Sequence, residues 1–504
     1  MGMWQGVKNM FVKMLRINPA PDNRIITITE PFSYRTNVLR NQLWYRGDPS
    51  ELDQFYKQVA DASGSVGKSR FWAAVPSADL QIRKIHSGLP AMIVERLADI
   101  VIADLDGIEL ANKQQTELWQ EIAKDNDFDE LLGDSIGEAL ITGDGAFKIT
   151  VDLEVTDYPI VEFYSGDQVE YKRERGRLRE VIFYTDYRYK DKDYRLEETF
   201  GIGYIRCRLL NADGKEVLLT TIPDTAKLQQ EITFTGDFIM AVPLMFFRSK
   251  KWKGRGKSIF DSKADSFDAL DEVISQWIDA IRAGRVQKYI PEDMIPRNPD
   301  TGALLRPNPF DNQFIRVGSV MAEDAKGQIN TVQPQILYEA FVNSYASALD
   351  MCLQGIISPA TLGIDLKKTD NAEAQREKEK ATLYTRGKII DCLNEVIPAL
   401  VSMIMKVYDT MQNRNAADYK VSVKFGEYAS PSFDAVVETV GKARTFGIMS
   451  VERAVEELYG DTWTDDEKKK EVARLKEEQG ILEVDDTGIN RDATPDDPPE
   501  DDDE

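Results

Sequence analysis

Residues 258–285 read SIFDSKADSFDALDEVISQWIDAIRAGR. Phe260, Ala264, Phe267, Leu270, Ile274, Trp277 and Ile281 recur at steps of three and four, the spacing of one helical face. Asp261, Asp265, Asp268, Asp271, Glu272 and Asp279 gather on the opposite side. The stretch therefore predicts an amphipathic helix with a solvated acidic face. At about 1.5 Å per residue it would run for about 40 Å, the length of a strut across a small domain. Ser258, after Gly254-Arg255-Gly256-Lys257, is the expected N-cap.

The strut needs something at its far end. Residues 286–333 carry Pro291, Pro296, Pro307 and Pro309 with the turn sequences Asn298-Pro299-Asp300 and Asn308-Pro309, which no continuous helix tolerates. QFIRVGSVM, 313–321, is the best strand candidate there. Helical periodicity returns in 334–357, with Leu337, Phe341, Tyr345, Leu349, Cys352 and Ile356 on one side. A polar loop, SPATLGIDLKKTDN at 358–371, leads to a long helix at 372–411, expected to break or kink near Pro398. The chain goes out along one helix, builds a small module and returns along another.

Outward from this order the pattern divides. Helices are expected at 49–62 with Ser50 as N-cap, at about 89–104, and as a pair over 114–142. From Ala146 the period changes to alternating β-branched and aromatic residues, with a hairpin signal at Asn211-Ala212-Asp213-Gly214. YKVSVKFGEY, 419–428, is an isolated strand that must pair with an earlier segment. Three short helices follow, with Ser450 and Thr464 as N-caps and Gly447, Gly460 and Gly480 as stops. Helices followed by antiparallel strands make the class α+β.

A chain of 504 residues exceeds one compact core, and 42% hydrophobic residues suffice for several. The net charge of −23 argues against a general nucleic-acid coat, because phosphate neutralisation demands a cationic surface. Between Glu483 and Glu504 there are eleven acidic residues against one basic, so −10 of the −23 lies in a tail whose composition predicts disorder. Cys207, Cys352 and Cys392 form neither a metal pair nor an even disulfide set, which fits a reducing compartment. No signal peptide and no window of membrane-spanning length is expected.

Tests for chemistry come out empty. ASGSVGKS, 62–69, resembles a phosphate-binding loop that would use Lys68 and Ser69. It follows a helix where a buried strand is needed, and FWAAVPSADL follows it instead of a helix. LADIVIADLDG, the only candidate for a magnesium-holding strand, reads better as helix. A single histidine, His86, excludes histidine triads and multi-histidine metal sites and reads as an incidental surface or loop residue. Gly143-Asp144-Gly145 reads as a helix-to-strand turn. Basic clusters at Lys172, Arg173, Arg175, Arg177 and Arg179, and at Lys250, Lys251, Lys253, Arg255 and Lys257, read as surface charge on an acidic protein. No catalytic residue, metal or cofactor is expected.

EALITGDGAFKITVD, YPIVEFYSGDQVEY, AVPLMFFRSK, GRGKSIFDSKADSFDALDEVISQ, SPATLGID and NAEAQREKEKATLYTRGKI, in this order and spacing, make the chain resemble the portal proteins of tailed bacteriophages of the siphophage type. The resemblance implies an elongated α+β subunit: a wing at 1–257, stem helices at 258–285 and 334–357, and a small α/β clip at 286–333. A tunnel loop follows at 358–371, a long kinked helix with a returning wing strand at 372–431, a helical crown at 432–482 and a disordered tail at 483–504. It implies no enzyme activity. It implies a homo-oligomeric ring of about twelve subunits at one capsid vertex of the virion, assembled in the host cytoplasm without membrane. Double-stranded DNA is packaged and ejected through such a ring. The implied partners are terminase large subunit, major capsid and scaffolding proteins, and a head-tail adaptor.

On this reading the acidic stem residues line the channel or an intersubunit face and repel phosphate. Lys367, Lys368, Thr369 and Asp370 form a loop facing DNA, and Arg297, Arg306, Asn308 and Phe310 a docking surface on the clip. Two other readings compete: a nucleotide-dependent packaging ATPase built on Lys68 and Ser69, and an adaptor without a channel. A sparse ring of Lys367 and Lys368 would centre or hold DNA by phosphate attraction. Particles carrying Lys367→Ala and Lys368→Ala should lose packaged DNA on storage, and unchanged packaging and retention would sink that role.

Overall fold

A computed structural model describes residues 32–63, 70–74, 82–284, 287–291, 297–302, 314–317, 330–332, 335–364, 372–426, 433–459 and 463–478. The fold is mixed α and β in two compact units, Met1–Gly426 and Glu427–Glu504.

The first unit begins with α1 (Tyr34–Arg46), capped by Ser33, whose side chain accepts from the Thr36 amide, and closed by Gly47 at φ 67. In α2 (Pro49–Ser63) the expected cap shifts by two residues: Asp48 accepts the Ser50 amide at 2.7 Å. A carboxylate at that position also favours the positive end of the helix. Next, α3 (Leu89–Ala103) buries Leu89, Ile93, Val94, Leu97 and Val101 along one side.

The LADIVIADLDG stretch is helix only to Ala103. Leu105–Leu110 form β1, which pairs antiparallel with β14 (Val421–Phe425), so the isolated strand of the sequence finds its partner more than 300 residues upstream. The helices α4 (Lys113–Asp125) and α5 (Phe128–Thr142) follow, and α5 packs on both α3 and α1.

Strands β2 (Gly145–Thr150), β3 (Ile160–Ser165) and β10 (Ala241–Leu244) form one sheet in the order β10-β2-β3. The larger sheet runs β4 (Val169–Glu174), β5 (Arg177–Tyr189), β6 (Lys192–Gly201), β7 (Tyr204–Asn211) and β8 (Glu216–Val217), with β9 (Glu231–Thr233) also on β7. All its pairings are antiparallel, and the β7–β8 hairpin turns where the Asn211–Gly214 signal stands.

The strut helix, α6 (Ala264–Ala283), starts six residues after Ser258. Ser258 does not cap it: its hydroxyl donates to the Leu140 carbonyl at 3.1 Å, and its amide donates to Asp261 at 3.1 Å. Beyond the strut, β11 (Gln287–Pro291), β12 (Phe314–Val317) and β13 (Asn330–Val332) form a small sheet, β11 parallel to β12 and antiparallel to β13. The chain returns in α7 (Tyr338–Leu353), which packs along α6 to make a two-helix stalk.

Then α8 runs from Ala372 to Met411 through Pro398 as one helix, without the expected break. Ile397, Leu400, Val401, Ile404 and Met405 are all buried around that proline. Packing of this kind, worth about 1.5–3 kcal/mol per buried side chain, outweighs the proline penalty of about 3 kcal/mol.

The second unit contains α9 (Phe433–Thr445), α10 (Val451–Tyr459) and α11 (Asp465–Glu478). Ser450 accepts the Arg453 amide at 3.2 Å, and Thr464 donates through both its amide and its hydroxyl to Glu467, which supplies the Glu half of a capping box. Gly447 takes φ 67 at the end of α9, and Val440, Val451, Ala454 and Val455 form the buried set. Gly460, Gly480 and the acidic tail lie outside the described residues.

Candidate functional site

The acidic stripe of the strut is not a solvated face. Asp271 is fully buried and Asp268 nearly so. Asp261 accepts from Asn37 Nδ2 at 2.8 Å and Asn41 Nδ2 at 3.0 Å, with the Arg40 guanidinium 3.6 Å away. Asp268 accepts the backbone amides of Phe71 at 3.0 Å and Trp72 at 3.3 Å. Asp271 accepts the Trp72 indole N–H at 3.1 Å and the Ser87 amide at 2.9 Å, and His86 Nδ1 meets it at 2.7 Å. One turn further, Ser275 accepts the Ile85 amide at 3.0 Å.

Asp268, Asp271 and Ser275 are spaced by three and four, so one helical face receives the segments 70–72 and 85–87 as a seat. Burial pushes the Asp268 carboxyl up, and the two amides pull it back. Lys84 fastens the same segments by donating to Asp53 at 2.8 Å and to the Trp72 carbonyl at 2.7 Å. Of the six acidic strut residues, Asp265 stays exposed beside Arg70, and Glu272 and Asp279 are half-buried. A lining role for Asp261, Asp268 and Asp271 is thereby excluded within the chain: they face protein donors.

His86 does lie in a loop, as expected, but it is neither incidental nor on the surface. Its side chain is 4% exposed, between the rings of Trp44 and Trp72. Gly47 lies against it so closely that a Cβ there would come within 2.6 Å of His86 Cδ2, and φ 67 at Gly47 also disfavours any side chain.

A second joint brings two stretches of sequence together. Gly143-Asp144-Gly145 does turn helix into strand, but Asp144 is also a buried carboxylate that holds Arg255 through both oxygens, at 2.7 and 3.1 Å. It further accepts the Tyr34 hydroxyl at 3.1 Å and the Gly256 amide. Arg255 also donates to the Val169 carbonyl at 2.6 Å and lies over the Tyr34 and Tyr171 rings at 4.1 and 5.0 Å.

Arg255 is therefore a buried ion-pair residue, unlike Lys250, Lys251, Lys253 and Lys257, which are exposed. Burial pushes the Asp144 carboxyl up, and the guanidinium opposes it. Gly256 is required by close approach: a Cβ there would sit 1.9 Å from the Gly143 carbonyl oxygen. TGDG and GRGKS are thus two halves of one joint, which delivers the chain into the strut.

The outer part of the stalk differs from its base. Burial in α6 ends at Ser275, and in α7 it begins only at Ala348. Between these limits Trp277 packs against Tyr338, Phe341 and Tyr345 at centroid distances of 6.3–6.4 Å. Ile278, Ile281, Ile336, Leu337 and Tyr338 stay exposed, Leu337 by 68%. Among the described residues, this leaves an apolar face on the outer part of the helix pair uncovered.

Arg297, on the small sheet module, is exposed. Arg306, Asn308, Phe310, Lys367, Lys368, Thr369, Asp370, Lys68 and Ser69 lie outside the described residues. Among the described residues no three His, Cys, Asp or Glu side chains converge as metal ligands, and no helix is long and apolar enough to cross a membrane. Sequence reasoning missed a cavity of about 420 Å³ lined by Phe200, Ile205, Phe238, Met240 and Met411. Cys207 is in its wall, its thiol pushed up to about 11 by burial, which suits packing and not nucleophilic chemistry.

No protein-family model and no curated protein matches the chain. Among solved structures, it is similar to a chain from the neck of a native GTA particle computed with C12 symmetry, at 14% identity and TM-score 0.36, over 77% of this chain and 90% of that one. It is also similar to one from the neck of an empty GTA particle computed with C6 symmetry, at 14% identity and TM-score 0.36, over 82% and 97%. These likenesses are too distant to bear on function.

Two outcomes follow from the buried carboxylates. Removing either partner of the Asp144–Arg255 pair should cost about 3–5 kcal/mol, and a double-mutant cycle with Asp144→Ala and Arg255→Ala in urea unfolding should give a coupling energy above about 1 kcal/mol; additive losses would show that the pair does not act as a unit. For Asp268 the raised folded value means that the native chain binds the proton more readily than the unfolded one. Its charge therefore costs nothing below the unfolded value and costs progressively more as pH rises through the folded value. Asp268→Asn should thus gain stability relative to the parent as pH rises above the ordinary carboxylate value of about 4, and a pH-independent difference would contradict the burial argument.

Proposed function

We propose that the chain is a portal-type subunit of a tailed-phage particle, one stave of a closed ring at the capsid vertex that passes double-stranded DNA and has no enzymatic activity of its own. The observation that carries this reading is the outer stalk: two helices that seal their lower halves against the body and leave Ile278, Ile281, Ile336, Leu337 and Tyr338 exposed. Side chains of this kind on a projecting helix pair are stabilised when neighbouring copies cover them, and a head-to-tail contact that closes by rotation makes a ring.

The order of strut, small sheet module, returning helix, loop and long helix supplies a wall, a tip and a loop at the wall's base. Asp265, Glu272 and Asp279 are the acidic side chains still accessible on the strut, so phosphate repulsion along the wall falls to them. The small sheet module, with Arg297 exposed, is the docking tip for terminase or a head-tail adaptor. The resemblance of the six motifs supports a ring of about twelve copies.

Negative-stain images and mass photometry of the purified chain should reveal rings with a central hole. Ile278→Asp with Ile281→Asp should shift the population to single subunits while the far-UV circular dichroism stays unchanged. A parent chain that remains monomeric at micromolar concentration, or forms rings the double variant leaves intact, would overturn this reading.

A further inference from the structure

The tip of the β4–β5 hairpin is a cationic point on an acidic protein. Residues 171–180 read YKRERGRLRE, five basic against two acidic, in a chain of net charge −23. Arg175 at φ 48 and Gly176 at φ 83 build a two-residue turn, the left-handed geometry that matches strand twist. Both carboxylates are engaged: Glu180 pairs with Lys172 at 2.9 Å and Glu174 with Arg179 at 3.2 Å. Arg173, Arg175 and Arg177 are exposed and have no carboxylate partner among the described residues.

The root of the hairpin is firm. Tyr171 donates its hydroxyl to the Gly145 carbonyl at 2.7 Å and lies between Arg173 at 5.8 Å and the buried Arg255 at 5.0 Å. The three free guanidiniums thus stand on a ribbon anchored in the Asp144–Arg255 joint.

We propose that this tip binds the phosphate backbone of duplex DNA. Guanidinium forks grip phosphate oxygens bidentately, and a two-stranded ribbon is slim enough to enter a groove. An acidic protein partner fits less well: residues 172–177 expose no apolar or aromatic side chain, and protein interfaces draw their affinity from such anchors. Phosphate contacts need none. The surrounding negative charge confines binding to the tip and makes it strongly salt-dependent.

The test is fluorescence anisotropy of a labelled duplex of about 30 base pairs with the full chain over a salt series, parent against Arg173→Ala/Arg175→Ala/Arg177→Ala. The triple variant should bind at least about tenfold more weakly at low salt, and its log–log salt slope should fall by about 2.7, the release expected for three phosphates. Arg188→Ala/Lys190→Ala/Lys192→Ala, at the tip of the β5–β6 hairpin, should leave binding as in the parent. Unchanged affinity in the first variant, or an equal loss in the second, would overturn the assignment. So would displacement of DNA by poly-glutamate at equal charge, which would make the partner an acidic polypeptide. Oligomeric state is not the readout, so this outcome is independent of whether the chain forms rings.

Discussion

A carboxylate taken out of water costs several kcal/mol unless donors replace its hydration, and the strut helix buries Asp268 and Asp271 within one turn. Everything around the base of α6 answers that constraint. Residues 70–72 and 85–87 present backbone amides, the Trp72 indole and the His86 ring to this face. Lys84 binds the same segments to one another and to Asp53. These donors work at one helix orientation only, so the carboxylates set how the strut turns about its axis. A purely apolar seat would tolerate several orientations of nearly equal energy.

The parts of the fold that could be read from the sequence are those whose signal is local. The three-and-four spacing of Ala264, Phe267, Leu270 and Ile274 marks a helix before any partner is known, and the alternation after Ala146 marks strands. The partners of charged groups were not legible for the opposite reason. Asp271 meets donors 184–199 residues away, two of them a backbone amide and an indole, and no pattern within the helix distinguishes such a carboxylate from a solvated one. Arg255 among four exposed lysines, and His86 as the lone histidine, were hidden in the same way. The strand at Leu105–Leu110 was obscured by the helix feeding it, because Ile100, Val101 and Ile102 continue an apolar run across the boundary. Pro398 does not break α8, whose apolar side chains are buried on both sides of it.

The joint between TGDG and GRGKS explains why two separated stretches both carry glycines beside a charge, Asp144 in one and Arg255 in the other. Gly143 and Gly256 let two backbones touch, and Asp144 with Arg255 locks that contact. The same guanidinium reaches the Val169 carbonyl and the Tyr34 and Tyr171 rings, so α1, the turn into β2, the large sheet and the start of the strut meet at a single side chain.

The strut is consequently two helices in one. Its base is fixed by directional bonds to buried donors, and in its outer half Trp277 packs against α7 through aromatic contacts. A face held this way is already in position when a partner arrives, so covering it pays little ordering entropy and retains most of the apolar gain. Asp268 and Asp271, expected on a channel lining or an intersubunit face, therefore act one step earlier: buried within the subunit, they orient the strut and with it the apolar face of its outer half.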